Sequence, residues 1–275
     1  MLSIQIMKKI SLVVSILLLT FINTLAQGID DMTLDGRFAA QVKSFDEFLG
    51  RFNGTESKPG IENDDKWRDN NLVSLLDAKM PRGNDADAFK ASVMSFIDAI
   101  KGCKTPLLVT DDRIFAKAEC TVRFQGKERK IVLILQCQKF KTDAKRWAFV
   151  GADGLQKAGM IDTTKIRAIS PVDHEIHFMG LTSTFKYNST EIVGYRGAKT
   201  HIDQLSMFLA FAQLKAIEFI SVDKLTYHIL SVPEYVFTVN EISREDYNSG
   251  WLIDSFRRIE EKDKTEYINQ LLGRK

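Results

Sequence analysis

At Ile114 the period of the apolar residues changes from three-to-four to two, and that change fixes the class of fold open to this chain. Ala116, Ala118, Cys120, Val122 and Phe124 alternate with Phe115, Lys117, Glu119, Thr121 and Arg123, the pattern of a half-buried strand. Residues 125–129 supply a polar turn, and residues 130–140, rich in Ile, Val and Leu, a second strand. Residues 141–145 turn again before Arg146-Trp147-Ala148-Phe149-Val150. An antiparallel three-stranded meander is predicted.

Helical spacing precedes it. Phe38, Val42, Phe45, Phe48, Leu49 and Phe52 recur at steps of three and four over residues 35–53, with Gly54 where a left-handed cap is wanted. Trp67, Leu72, Leu75, Leu76 and Met80 predict a second helix stopped at Pro81. A third starts at Asn84 or Asp85, carries Phe89, Val93, Phe96, Ile97 and Ile100, and ends at Gly102. The second half repeats the order. Thr200 with Asp203 resembles a capping box opening a helix to about Ser221. Strands follow at 224–231, 234–242 and 250–258, then a C-terminal helix. Trp147 and Trp251 each lead a last strand. Helix-then-meander, read twice, predicts two similar domains.

The first 26 residues carry a different pattern. Lys8 and Lys9 precede a thirteen-residue run, residues 10–22, broken only by Ser11, Ser15 and Thr20, and Thr24-Leu25-Ala26 ends in small residues. This is the pattern of a secretory signal peptide cut between Ala26 and Gln27. The run is short of the ~20 residues that span a bilayer, so no stable membrane span is expected after cleavage, and the protein is expected in the periplasm or outside the cell. Cleavage leaves 249 residues with 36 basic against 36 acidic side chains. A formally neutral chain lacks the concentrated basic surface that nucleic acid requires, and the short run Lys127, Arg129 and Lys130 reads as a solvated turn.

The segments Glu47-Phe48-Leu49-Gly50-Arg51-Phe52-Asn53, the helix with Leu75 and Leu76, and Arg146-Trp147-Ala148-Phe149-Val150-Gly151 resemble the NTF2-like (cystatin-like fold) superfamily, in particular exported members common in Bacteroidetes. The resemblance covers roughly residues 35–152 and more loosely 174–260. It implies an α+β fold of two NTF2-like units, each with helices packed on a curved antiparallel sheet: a signal peptide over 1–26, a first domain over 27–152, a linker over 153–173 and a second domain with a C-terminal helix over 174–275. Some members are enzymes of ketosteroid-isomerase type and many only bind or scaffold, so fold alone does not choose.

Catalytic patterns are sparse. His174-Glu175-Ile176-His177 lies in a stretch that reads as extended, where the two histidines face opposite sides and cannot share one metal ion; nor is it the zinc motif with histidines four apart on a helix. No metal site and no cofactor is expected. Asp77, Asp98, Asp112 and Glu119 each have an ordinary exposed explanation, and His201 and His228 are explained by packing. Cys103, Cys120 and Cys137 form no metal-ligand spacing, and their odd number leaves at least one thiol free.

The helix over 202–220 is apolar nearly all round, which predicts burial on both sides. The alternative is a ligand pocket lined by Met207, Phe208 and Phe211. The chain therefore reads as an exported noncatalytic binding or scaffold protein of the cell envelope, its partner a small apolar ligand or an envelope protein. The alternative is a small-molecule enzyme of ketosteroid-isomerase type using a pocket carboxylate.

Overall fold

In the computed structural model, which describes residues 41–55, 65–139, 144–162, 189–197, 199–245 and 247–274 with residues 164, 182 and 186, the alternating stretch at Ile114 becomes an inner strand of a six-stranded sheet. The described elements are α1 (Phe45–Asn53), α2 (Asp65–Ser74), α3 (Ala86–Lys101), β1 (Ile114–Phe124), β2 (Lys127–Lys139), β3 (Lys145–Asp153), a 3-10 turn (Ser189–Tyr195), α4 (Gln204–Gln213), β4 (Ile217–Ile229), β5 (Tyr235–Ile242), β6 (Gly250–Arg258) and α5 (Glu261–Leu271). The class is α+β. The sheet is antiparallel, open, and ordered β3-β2-β1-β4-β5-β6. Both meanders form, joined through their first strands into one sheet. Trp147 and Trp251 lie in its two outer strands. The signal-like residues 1–26, residues 163 and 165–173 of the expected connection and the histidine pair at 174 and 177 lie outside the described residues.

The chain divides into two compact units, Met1–Gly102 with Asn240–Ser255, and Cys103–Val239 with Phe256–Lys275. In the second unit the sheet is apolar on both faces. Ala118, Cys120, Val122 and Phe124 of β1 join Ile131 and Leu133 of β2 in a core that α4 covers through Phe208. Phe115, Ile134, Leu230 and Val236 form a second cluster, against which Ile268, Leu271 and Leu272 pack. The β1–β2 connection is Gln125-Gly126, with φ of 51° and 76°, the two-residue hairpin turn whose twist matches the strands. It places β2 three residues earlier than the alternation suggested.

Helix α4 departs most from expectation. It ends at Gln213, and the residues expected to continue it to Ser221 open β4 instead. Lys215 takes the left-handed conformation (φ 54°), the Lys215 amide donates to the Ala212 carbonyl at 3.1 Å, and the Ala216 amide donates to that of Phe211 at 2.8 Å. This is a complete Schellman stop, strong enough to seat a lysine in a conformation costing roughly 1 kcal/mol without glycine. Nor is α4 deeply buried: Phe208 is its one buried side chain. The cap is Asp203 itself rather than Thr200.

In the first unit, α1 starts at Phe45 rather than including Val42, and residues 35–40 of the expected helix, with Phe38, lie outside the described residues. The Ser44 hydroxyl accepts from the Glu47 amide at 3.1 Å, and the Glu47 carboxylate from the Lys43 amide at 2.8 Å. Phe45, Phe48 and Phe52 stack along the helix at 5.6 and 5.7 Å, and Trp251 meets Phe45 edge-on at 5.9 Å. The second helix stops at Ser74, not Pro81, because Leu75 and Leu76 are drawn onto the sheet edge. The Ile253 amide donates to the Leu75 carbonyl, and the Asp77 amide to that of Ile253, both at 2.8 Å. Asn248 fixes the bend: its amide nitrogen donates to the carbonyls of Ser74 (2.9 Å) and Leu76 (2.6 Å), and its oxygen accepts from the Ala78 amide (3.1 Å).

Val42 caps the same edge two residues upstream. Its amide donates to Ser249 at 3.0 Å and its carbonyl accepts from Trp251 at 2.9 Å. The approach works because residue 250 is glycine at φ 98°; a Cβ there would overlap the Val42 carbonyl oxygen and lie 2.6 Å from its carbon. Gly250→Ala is therefore expected to cost about 2–4 kcal/mol, from left-handed strain and forced backbone displacement together, in urea unfolding monitored through tryptophan fluorescence. A loss below about 0.5 kcal/mol would show that the Val42 bridge does not hold the edge.

Candidate functional site

The residues singled out as a pocket, Met207, Phe208 and Phe211, lie on α4, and the orientation of that helix decides what they do. Asp203 anchors its start: the carboxylate accepts from the Ser206 hydroxyl at 2.5 Å and from the Ser206 and Leu205 amides at 3.0 and 3.4 Å. The Ser206 hydroxyl chiefly holds the Asp203 carboxyl below its ordinary range. Gln204 ties the first turn to the end of β3, donating to Asp153 at 3.0 Å and accepting from the Leu155 amide at 2.9 Å. So held, Phe208 is 5% exposed and meets Phe149 edge-on at 5.9 Å, while Phe211 tilts against Phe124 at 5.3 Å and Met207 packs at the margin. Phe208 fills the core, and Met207 and Phe211 form its rim. An open cleft of about 670 Å³ follows β3, lined by Gln156, Lys157, Gly159, Ile161, Asp162 and Thr164; the α4 trio takes no part in it.

Beyond the reach of α4, no described element covers the same face. Phe219 and Val222 are register partners of Val122 and Cys120, so they share the face of the core. They remain 50% and 52% exposed, and Leu214 at the end of α4 is 76% exposed. A core that continues into an exposed apolar row is the feature of this face with the clearest binding potential.

On the opposite face, at the end away from its apolar cluster, stands a polar group. Asp223 stands where β4 bulges past β1. Its carboxylate accepts from Lys130 (2.8 Å), Thr121 (2.7 Å) and Ser221 (2.7 Å), and the Lys130 ammonium also donates to the Thr121 hydroxyl (2.6 Å). The Lys130 hydrogen bond, then those of Ser221 and Thr121, bring the Asp223 carboxyl down to about 2. The Lys130 side chain is thus engaged by both Asp223 and Thr121. Burial, aided by Asp223, pushes the Cys120 thiol up to about 11, which makes it an inert small hydrophobe. Cys103 and Cys137 are likewise not joined in a disulfide.

His228, expected to be a packing residue, has the most perturbed imidazole among the described residues. Nδ1 lies 2.6 Å from the Tyr267 hydroxyl on α5, and Nε2 is buried with no hydrogen-bond partner. Burial, reinforced by Lys117, drives its pKa down to about 4; Arg257 adds positive charge over the Tyr267 ring at 5.6 Å. Nearby, Lys264 is 3% exposed and donates to the carbonyls of Leu230 (2.8 Å) and Val232 (2.7 Å) and to Glu261 (2.6 Å). Burial raises the Glu261 carboxyl, but hydrogen bonds from Lys264 and Arg113 prevail and set it at about 2. These contacts fasten α5 to the β4–β5 connection and assemble no reactive group. Sequence gave one signal for His228, a polar residue among the apolar positions Leu230 and Val236; nothing in the spacing joined it to Tyr267.

The four carboxylates considered as bases are dispersed. Asp77 is paired with Arg244 at 2.5 Å, Asp98 and Asp112 are exposed, and Glu119 stands opposite Lys224 in the β1–β4 ladder. His201 is exposed. Among the described residues no group of three His, Cys, Asp or Glu side chains is arranged to hold a metal ion, and no helix is long and apolar enough to cross a membrane. No known protein family, curated protein or solved structure matches the chain.

Two measurements follow from this geometry. Phe208→Ala is expected to cost about 3–5 kcal/mol in thermal or urea denaturation, as for an aromatic taken from a packed core; a loss under about 1 kcal/mol would show that the ring lines a cavity instead. His228 is neutral in the folded chain down to about pH 4, whereas an unfolded histidine binds its proton near 6.5. The unfolded state therefore binds more protons in this window, so stability falls as pH drops from about 6.5 to about 4, by on the order of 3 kcal/mol. Glu261 and Asp223, held at about 2, lose their stabilisation only at lower pH. Removing the imidazole in His228→Phe is expected to flatten the upper window alone. An unchanged slope between pH 6.5 and 4 would overturn the assignment.

Proposed function

We propose that this chain is an exported, noncatalytic binding or scaffold protein of the cell envelope, docking a protein partner on the exposed apolar row of β4. The observation that carries the reading is the contrast on one sheet face: Phe208 fills the core under α4, while Phe219, Val222 and Leu214 stand exposed beside it. An open row suits a protein surface better than an enclosed small molecule, which wants a concave pocket. The basic start and apolar run of residues 8–22 support export to the periplasm or beyond. The perturbed groups support a noncatalytic role: the His228 imidazole and the Asp223 and Glu261 carboxylates are engaged in internal contacts.

The NTF2-like resemblance belongs to the same proposal. Read outward from the β1–β4 pair, each flank runs first, second and third strand, and a helix precedes each meander in sequence. That symmetry supports two related units fused through their first strands rather than two separate sheets.

Photo-crosslinking in living cells tests the reading. A photoreactive amino acid at position 219 is expected to give a discrete protein adduct in the envelope fraction, and the same group at Met94, an exposed residue of α3, is expected to give none. The recovered chain should begin at Gln27. Retention of residues 8–22 in a cytoplasmic pool would defeat the export reading, and absence of an adduct at 219 the docking surface.

A further inference from the structure

The two outer strands of the sheet are finished differently. The free side of β6 is taken by Val42 and Leu76, which bridge to Gly250 and Ile253. Among the described residues no segment pairs with the free side of β3. An open edge presents a row of unpaired amide and carbonyl groups, and stable proteins guard such edges with lysine, proline or a covering segment. On β3 the guard is missing where it matters: Trp147-Ala148-Phe149-Val150-Gly151-Ala152 holds no charge and no proline. At its midpoint Phe149 is 45% exposed, and Leu209, next to the Phe208 that Phe149 touches, is also 45% exposed.

We propose that β3 is a homodimer interface, on which a second copy of the chain adds its own β3 antiparallel about a two-fold axis at Phe149. The occupant follows from charge. With Phe149 opposite Phe149, residues equally far from it face one another, so Lys145 meets Asp153 at both ends, and Trp147 meets Gly151. A parallel copy would set Lys145 against Lys145, and like charges directly opposite are destabilising. Lys145 and Asp153 are both exposed and, among the described residues, neither is in an ion pair; their contacts are neutral, Lys145 donating to the Thr110 carbonyl at 2.9 Å and Asp153 accepting from Gln204. The central pair would cover the exposed aromatic ring of each copy. The arrangement is isologous and closes at two, unlike a head-to-tail contact.

One feature limits its strength. The β2–β3 ladder shifts register between Phe149 and Gly151, so Val150 is an extra residue, and such bulges twist the strand. The shared ladder is therefore short, and the dimer is a concentration-dependent one.

Light scattering on the purified protein, measured through a concentration series after size exclusion, tests this. The expected result is a mass that rises from one chain to two. Phe149→Lys should hold the mass at one chain throughout, with its fold checked by circular dichroism. Lys145→Asp should weaken association about tenfold, since two opposed pairs become repulsive, and Lys145→Asp with Asp153→Lys should restore it. In a Cys103→Ser background, Phe149→Cys should form an interchain disulfide on mild oxidation, because a residue on the axis opposes itself. A one-chain mass at every concentration, or a two-chain mass insensitive to Phe149→Lys and to the charge swap, would overturn the proposal.

Discussion

The ladder between β1 and β4 is the contact on which the rest of the structure depends. It runs from Ile114 opposite Ile229 to Phe124 opposite Ile217, joining segments about a hundred residues apart. It makes β1 an inner strand with both faces covered, so Phe115 and Cys120, on opposite faces, are each at most 2% exposed. The closure entropy of so long a connection grows only slowly with its length, and burial on two faces more than offsets it. Its cost appears instead at Thr121, a polar side chain 6% exposed on an inner strand. The bulge at Asp223 resolves it, bringing a carboxylate to the Thr121 hydroxyl and drawing Lys130 over from β2.

How much of this was legible in the sequence follows from range. Period two identified β1, β5 and β6 nearly to the residue and β2 to within three, because alternation is a local property that survives any partner. Gly54 and Asp85 marked the helix ends they were expected to mark. The boundaries that moved were set by distant partners. Val42 lies on the apolar stripe that suggested a longer first helix, yet Gly250 draws it into a bridge; Leu75 and Leu76 are likewise taken by Ile253. At residues 214–221 the helical stripe and a strand share the same apolar residues, and what decided between them was a left-handed lysine, which no propensity would nominate.

The site was less legible than the fold for a related reason. Met207, Phe208 and Phe211 were found as a group because helical spacing links them, but spacing does not say whether a ring faces core or cavity. That depends on Asp153, Leu155 and Gln204, which set the angle of α4. His228 with Tyr267, and Lys264 with two carbonyls of the β4–β5 connection, are pairings between a strand or turn and a helix some thirty residues later. Read alone, His228 is a packing residue of a strand, and nothing local marks Tyr267 or Lys264 as its neighbours in a buried group. Their burial is a consequence of α5 returning to the sheet, and α5 returns because Ile268, Leu271 and Leu272 need a second apolar face to cover.

That second face explains why the molecule carries exposed apolar residues at all. An open sheet apolar on both sides needs a cover for each side and each edge. Here α5 serves one face of the second unit, α4 part of the other, and Val42 with Leu76 one edge. Helix α4 is only ten residues long, about 15 Å, and its Schellman stop ends it beside Phe124. The strand it leads into then continues uncovered through Phe219 and Val222. A longer α4 would hide that row, and the sequence has the apolar residues to build one. The turn at Lys215 converts those residues from helix into strand, so the same stretch that could have completed the core extends the sheet and leaves its apolar row exposed.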